Sequence, residues 1–352
     1  PLSEKSGKVA LIGPYVDCER FVGTWAKVGM PCRNVTVREA FEGKGNYVFA
    51  KGSHRLGVEN SLEAVMLKYE IDDSDREKLL KQAVKTAKKA DTVVMLIGEH
   101  YDQSGEAHAH MEIKIPEVQA ELLRRVYEVN QNVVVVLFNG RPLDLREISQ
   151  KSKAILDVWM PGTSAANAIY DMLTGKEEPT GRLSMTFPYH VGQCPIYYNK
   201  IRTCHTYNPD PTSRFTSKYS DMPTMPLYSF GEGMGYTTFE YSGVNVEPKL
   251  SRGGKIKASV TIKNTGDRRG TEVVQIYIYD HFASVARPLR ELKGFKKLTL
   301  DAGEERVVEF EIDEEMLKYW NIDMKFEADA GKFTVYIGHD SKTDNSAEFE
   351  LV

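Results

Sequence analysis

The stretch Thr92-Val93-Val94-Met95-Leu96-Ile97-Gly98, followed at once by Glu99-His100-Tyr101-Asp102-Gln103-Ser104-Gly105-Glu106, decides the fold. Val93 to Ile97 are all large and apolar, on both alternating positions, so neither side suits water. That predicts a strand buried on both faces. Upstream, Lys8-Val9-Ala10-Leu11-Ile12-Gly13-Pro14 has the same texture, and so, downstream, do Val133 to Phe138 and Ala154-Ile155-Leu156-Asp157-Val158-Trp159. Amphipathic stretches lie between them. Asp75 to Ala90 carries Leu79, Leu80, Ala83, Val84 and Ala87 at helical spacing. Pro116 opens a helix to Asn130, since its missing N–H costs nothing in a first turn. Shorter helices are expected at Leu143–Ser149 and Ala165–Leu173, the latter ending at Gly175. Apolar strands alternating with helices predict an α/β sandwich, a sheet covered by helices on both faces. In such sheets ligands bind beyond the carboxyl ends of the strands. The segments after Gly13, Gly98, Phe138 and Trp159 are therefore the candidate crevice.

Further on, the texture changes. Prolines, tyrosines and asparagines crowd Pro188 to Arg252, as in Tyr197-Tyr198-Asn199 and Thr206-Tyr207-Asn208-Pro209. This reads as an ordered tether wrapped over the first domain, because its aromatics need burial. From Lys255 the period becomes two: Lys255 to Ile262 alternates, Asn264-Thr265-Gly266-Asp267 turns, and Val273–Tyr279, Arg306–Ile312 and Lys332–Ile337 follow. Short strands with turns between them predict an antiparallel all-β sandwich. The expected limits are 1–188 for the α/β domain, 189–252 for the linker and 253–352 for the β-sandwich.

The 352 residues, 41% hydrophobic and 27% charged, have globular composition. A balance of 46 basic against 50 acidic residues argues against nucleic acid or an anionic membrane as a partner. No run reaches the ~18 apolar residues of a membrane span. Cys18, Cys32, Cys194 and Cys204 lack CxxC spacing and read as reduced structural thiols. Asn34-Val35-Thr36 is a glycosylation sequon. The chain opens at Pro1 without an initiator methionine, so upstream residues are expected, and the compartment, cytoplasmic or exported, stays open.

Three readings compete for the loop after Ile97, which ends at Ala107-His108-Ala109-His110. His100, His108 and His110 are metal-ligand types, but no pair has helical i,i+4 spacing, so no metal is assigned and no cofactor is expected. The loop is otherwise a solvated turn, or it presents one carboxylic acid, Glu106, whose small neighbours Gly105 and Ala107 permit close approach. The residue types leave these alternatives open. Elsewhere, Gly231-Glu232-Gly233-Met234-Gly235 lacks the strand–helix frame of a dinucleotide site and reads as a turn. Ser104 lacks a nucleophile elbow. Arg141, after the third strand, faces an anion or a structural carboxylate. Trp25, beyond the first strand, is a core residue or a platform for a sugar ring.

Taken in order, several short motifs resemble the last two domains of glycoside hydrolase family 3, of the bacterial β-glucosidase type. They include Val9 to Pro14, Gly23-Thr24-Trp25, Gly98-Glu99 with Ser104-Gly105-Glu106, and Ile115-Pro116-Glu117. Asn139-Gly140-Arg141-Pro142, Trp159-Met160-Pro161-Gly162, Gly181-Arg182-Leu183, Phe187-Pro188 and Tyr228-Ser229-Phe230-Gly231 continue the series. Tyr236 to Phe239, Asn264-Thr265-Gly266, Arg287-Pro288 and Leu292-Lys293-Gly294-Phe295 complete it. The resemblance implies an α/β sandwich followed by a fibronectin III/immunoglobulin-like domain, with the family's preceding (β/α)8 barrel absent. It further implies a retaining β-glycosidase in which Glu106 is the acid/base, Trp25 walls the aglycone subsite, and the nucleophilic aspartate lies on the barrel. Such hydrolysis uses two carboxyls roughly 5–5.5 Å apart. A crevice that excludes water favours the protonated acid. The chain alone is then expected to be inactive unless a barrel is supplied in cis or in trans. The implied partners are a β-glucoside or oligosaccharide substrate, that barrel, and in some arrangements a second copy in a homo-oligomer. The competing reading is a non-catalytic carbohydrate-binding or scaffold module.

Overall fold

Parallel pairing, in the strand order β2-β1-β3-β4-β5, joins Val9–Ile12 (β1), Tyr47–Ala50 (β2), Thr92–Gly98 (β3), Val133–Phe138 (β4) and Ala154–Asp157 (β5) into one sheet. A computed structural model of the chain describes every residue except 24, 27–32, 67–70, 202–213 and 215. Cys32, Cys204, Thr24 and the Thr206–Pro209 stretch lie outside the described residues. Every residue of β3 is buried, as its unbroken apolar run requires. The connecting helices are Val37–Phe41 (α1), Ser61–Met66 (α2), Arg76–Ala87 (α3), Glu117–Tyr127 (α4), Arg146–Gln150 (α5) and Ala165–Thr174 (α6). Residues of α1 and α6 pack with Val9, Leu11, Val94, Leu96, Val136 and Phe138 in one core. Chain order reverses between β1 and β3, and at such a switch point the loops diverge and leave a crevice.

The Asn34-Val35-Thr36 sequon carries a different meaning in the fold. The Thr36 hydroxyl accepts from the Glu39 N–H at 3.2 Å and the Glu39 carboxylate accepts from the Thr36 N–H at 2.8 Å, a capping box that starts the five-residue α1. The sequon around it is no glycan site here: Asn34 is buried and its amide nitrogen donates to the Glu19 carbonyl at 2.8 Å.

The chain forms two compact units, Pro1–Glu177 with Tyr189–Gly192, and Glu178–Pro188 with Gln193–Val352. The second contains a sheet ordered β11-β10-β15-β16-β8 and a smaller one ordered β12-β9-β6. Its strands are Phe239–Tyr241 (β6), Asn245–Val246 (β7), Lys249–Leu250 (β8), Lys255–Asn264 (β9), Gly270–Asp280 (β10) and Glu291–Leu300 (β11). Glu305–Asp313 (β12), Tyr319–Trp320 (β13), Phe326–Glu327 (β14), Gly331–Gly338 (β15) and Ser346–Leu351 (β16) complete it. The period-2 pattern does its expected work: Ile256, Ala258, Val260 and Ile262 face a core shared with Val274, Ile276, Ile278, Phe333, Val335 and Ile337.

The described residues of the tether divide between the units: Tyr189–Gly192 belong to the first and those from Gln193 onward to the second. Tyr198 stacks on Phe230 at 4.1 Å and meets Tyr277 edge-on at 5.9 Å. The Gln275 amide donates to the Gly231 carbonyl at 3.0 Å. Tyr198 is half-buried there against β10, whereas Tyr197 and Tyr219 stay exposed. Cys18 is a free buried thiol, whereas Cys194 is free and exposed, contrary to the reading of a buried structural residue.

Candidate active site

Gly98 ends β3 where no side chain fits: its φ is +154°, and an added Cβ would meet the Phe138 carbonyl oxygen at 1.8 Å. The next N–H, of Glu99, donates to that carbonyl at 2.8 Å, so the loop leaves alongside β4. On the other side Gln119 of α4, fully buried, accepts from the Gly98 N–H at 2.8 Å and donates to the Gly98 carbonyl at 2.8 Å. It also donates to the Arg55 carbonyl at 2.7 Å.

The loop's three carboxylates meet different surroundings. Glu99 is 2% exposed. One of its oxygens lies 2.9 Å from Arg141 Nε and the other accepts from the Gly140 N–H at 3.0 Å. Arg141 therefore takes the structural carboxylate, one of the two roles open to it in the sequence. Asp102 pairs with Arg20 at 3.6 Å. Glu106 is exposed, and among the described residues no hydrogen bond or ion pair engages its carboxylate. Its neighbours Gly105 (φ +118°) and Ala107 (φ +63°) both have positive φ, a conformation that costs a non-glycine residue of order 1 kcal/mol and turns the chain sharply on each side of Glu106.

Trp25, from the loop after β1, reaches the same place. A Cβ built on Gly105 would lie 3.7 Å from Trp25 Cδ1 and 3.9 Å from its Nε1. The indole is 58% exposed. The structure thus brings Trp25 and the Glu106 turn together at the switch point between β1 and β3.

The base of the loop is held by residues that the sequence reading passed over. The Tyr15 hydroxyl donates to the Glu99 carbonyl, and its ring stacks on Phe138 at 4.1 Å. Arg20 and Arg55 approach the Tyr101 ring at 3.8 and 5.0 Å from its centroid. Burial, then the charges of Arg55 and Arg20, push the His100 imidazole down to about 3, so it is neutral at pH 7. His100 Nδ1 accepts from the Asp102 N–H at 3.2 Å. Among the described residues no three His, Cys, Asp or Glu side chains group as a metal ion would need. Gln119 left no distinct signal either: in the amphipathic α4, which also carries Glu121, Arg124 and Arg125, one more polar residue does not stand out.

A family model described as Glycosyl hydrolase family 3 C-terminal domain matches residues 1–236, and one described as Fibronectin type III-like domain matches residues 272–341. A protein named periplasmic beta-glucosidase from Salmonella typhimurium is 41% identical, over 99% of this chain and 47% of its own length. A beta-xylosidase from Formosa agariphila is 33% identical, over 97% of this chain and 45% of its own. The crystal structure of a beta-glucosidase from Listeria innocua in complex with isofagomine superposes with a TM-score of 0.88 at 33% identity, covering 99% of this chain and 46% of that one. The chain spans somewhat under half the length of these relatives.

Proposed function

Because the chain belongs to glycoside hydrolase family 3, through that family's C-terminal domain and a fibronectin type III-like domain, we propose that it is the acid/base-bearing part of a retaining β-glycosidase acting on terminal β-glucosides. Glu106 is the acid/base and Trp25 one wall of the aglycone subsite. One observation carries the assignment within the loop: Glu99 and Asp102 are committed to Arg141 and Arg20, while Glu106 is exposed, its carboxylate is unengaged among the described residues, and its neighbour Gly105 lies beside the exposed Trp25 indole.

In the first half-reaction a nucleophilic carboxylate bonds to the anomeric carbon as Glu106 passes its proton to the glycosidic oxygen, and the aglycone leaves as an alcohol. In the second, the Glu106 carboxylate takes a proton from water as that water attacks the glycosyl-enzyme, which frees the sugar with its configuration retained. The nucleophile comes from a (β/α)8 barrel, in cis or in trans, so this chain by itself does not turn over substrate. The names of the relatives extend the sugar class to β-xylosides, and that of the Salmonella relative makes the periplasm the compartment to examine first. Among the described residues no helix is long and apolar enough to cross a membrane.

The test uses the barrel-containing enzyme. Glu106→Ala is expected to lose about 10²–10⁴-fold on natural disaccharides. It should still form the glycosyl-enzyme from aryl glycosides with good leaving groups, and azide should restore turnover. Near-normal hydrolysis of disaccharides by Glu106→Ala would overturn the assignment and pass it to Asp102 or Glu99.

A further inference from the structure

Arg141 does more than neutralise Glu99. Its Nη2 donates to the Gln103 carbonyl and, at 2.8 Å, to the His108 carbonyl. Those two carbonyls bracket residues 104–107, the turn that carries Glu106. The Glu99 carboxylate forms an ion pair with the guanidinium, one oxygen 2.9 Å from Nε, and the Gly140 N–H donates to the second carboxylate oxygen at 3.0 Å. The carbonyl of Arg141 accepts from the Asn139 amide at 2.9 Å, and Asn139 is fully buried. Ser104 lies directly against Gly140, its Oγ 1.7 Å from where a Cβ would stand. The segment after β4 therefore grips the loop after β3 at both ends of the turn.

We propose that the Glu99–Arg141 pair is the positioning device for Glu106: a planar fork on a buried carboxylate that fixes the two ends of a turn whose middle carries the acid/base. The proposal rests on the glycosidase reading for its consequence, though not for the clamp itself. Arg141 touches no reacting atom, so it is a positioning residue. Arginine suits this place, because its rigid planar guanidinium keeps Nε beside one carboxylate while Nη2 donates to two carbonyls. A lysine ammonium keeps the charge without that fork. General acid catalysis needs its donor within hydrogen-bond reach of the glycosidic oxygen. A loosened turn therefore penalises substrates in proportion to how much their leaving group needs a proton.

Two measurements test this. In the present chain, Arg141→Ala should speed amide hydrogen exchange in residues 103–108 by at least about tenfold while β3 and β4 stay protected. In the barrel-containing enzyme, Arg141→Ala should lower kcat/KM for disaccharides about 10²-fold, and lower that for activated aryl glycosides by less than about fivefold. Azide should accelerate the variant, and Arg141→Lys should fall between the variant and the wild type on both measures. Should Arg141→Ala fail to fold, Arg141→Lys carries the same comparison with the charge retained. Unchanged loop exchange overturns the clamp. Equal losses on both substrate classes overturn its role in proton donation and leave a general structural one. If Glu106→Gln behaves as wild type while the exchange result holds, it is the glycosidase reading of Glu106 that fails, and the proton-donation role with it.

Discussion

Trp25 leaves most of its indole in water, although a ring of that size gains from burial and finds apolar neighbours in most folds. At the aglycone wall it has a use. A stacking contact worth ~1 kcal/mol corresponds to about a fivefold rise in KM when it is lost. Trp25→Ala in the barrel-containing enzyme should show that rise with disaccharides and longer oligosaccharides, and none with substrates whose leaving group is small. Equal KM for both classes would remove it from the subsite. At this scale the sequence was legible only in part. Glu106 stood among three carboxylates and three histidines, and residue types alone could not separate a donor from its neighbours. What separates them is pairing with Arg20 and Arg141, which reach the loop from distant segments. Only the fold brings those together.

Elements were read better than residues. The limits of β3 and β4 are those expected from their apolar runs, and α3 and α4 fall inside the predicted spans. The omissions have physical causes. The helix α1 is five residues long and stands on its capping box rather than on periodicity. The strand β2 lies at the sheet edge, half-buried, so its four residues do not stand out as a buried run. On β11, exposed Phe295, Lys296 and Lys297 blur the alternation. One element carries a sharper consequence. Glu272 of β10 meets Arg182 at 3.0 Å, and both side chains are 7% exposed. Removing one partner of a buried pair strands the other charge, which costs about 3–5 kcal/mol. Arg182→Ala should lower the urea midpoint accordingly, and replacing both partners with apolar residues should cost less. A loss under about 1 kcal/mol would place the pair in the weak, solvent-screened class.

At the scale of the whole molecule, two half-buried carboxyls among the described residues, each with one enclosed oxygen, oppose ionisation. Burial pushes Asp157, at the end of β5, up to about 7, and Asp280, at the end of β10, up to about 6. Each also has an Oδ2 with no hydrogen-bond partner among the described residues. In the unfolded chain such groups ionise near pH 4. Between pH 4 and pH 7 the folded chain therefore holds protons that the unfolded chain has released. Their contribution to stability is complete below pH 4 and is lost as the pH rises through these folded values. Asp157→Asn keeps the acceptor for the Trp159 N–H, which lies 3.3 Å from Oδ1, and removes the charge. It should stabilise the chain at pH 8 by about 1–3 kcal/mol and leave it nearly unchanged at pH 4. Parallel melting curves for variant and wild type across that range would contradict the buried-acid account.

The amide of Gln119 has a consequence of its own. The register of β1 ends with Ile12 opposite Met95, while β3 runs on to Gly98. Glu99 turns its N–H toward β4, so the N–H and carbonyl of Gly98 face the side that β1 has already left. Gln119 answers both, donor to acceptor and acceptor to donor. A carboxamide from a helix thus acts as one residue of a missing strand. By that borrowed peptide group the sheet keeps its hydrogen-bond order past the point where its neighbour stops, and the loop bearing Glu106 springs from a fixed edge instead of a frayed one.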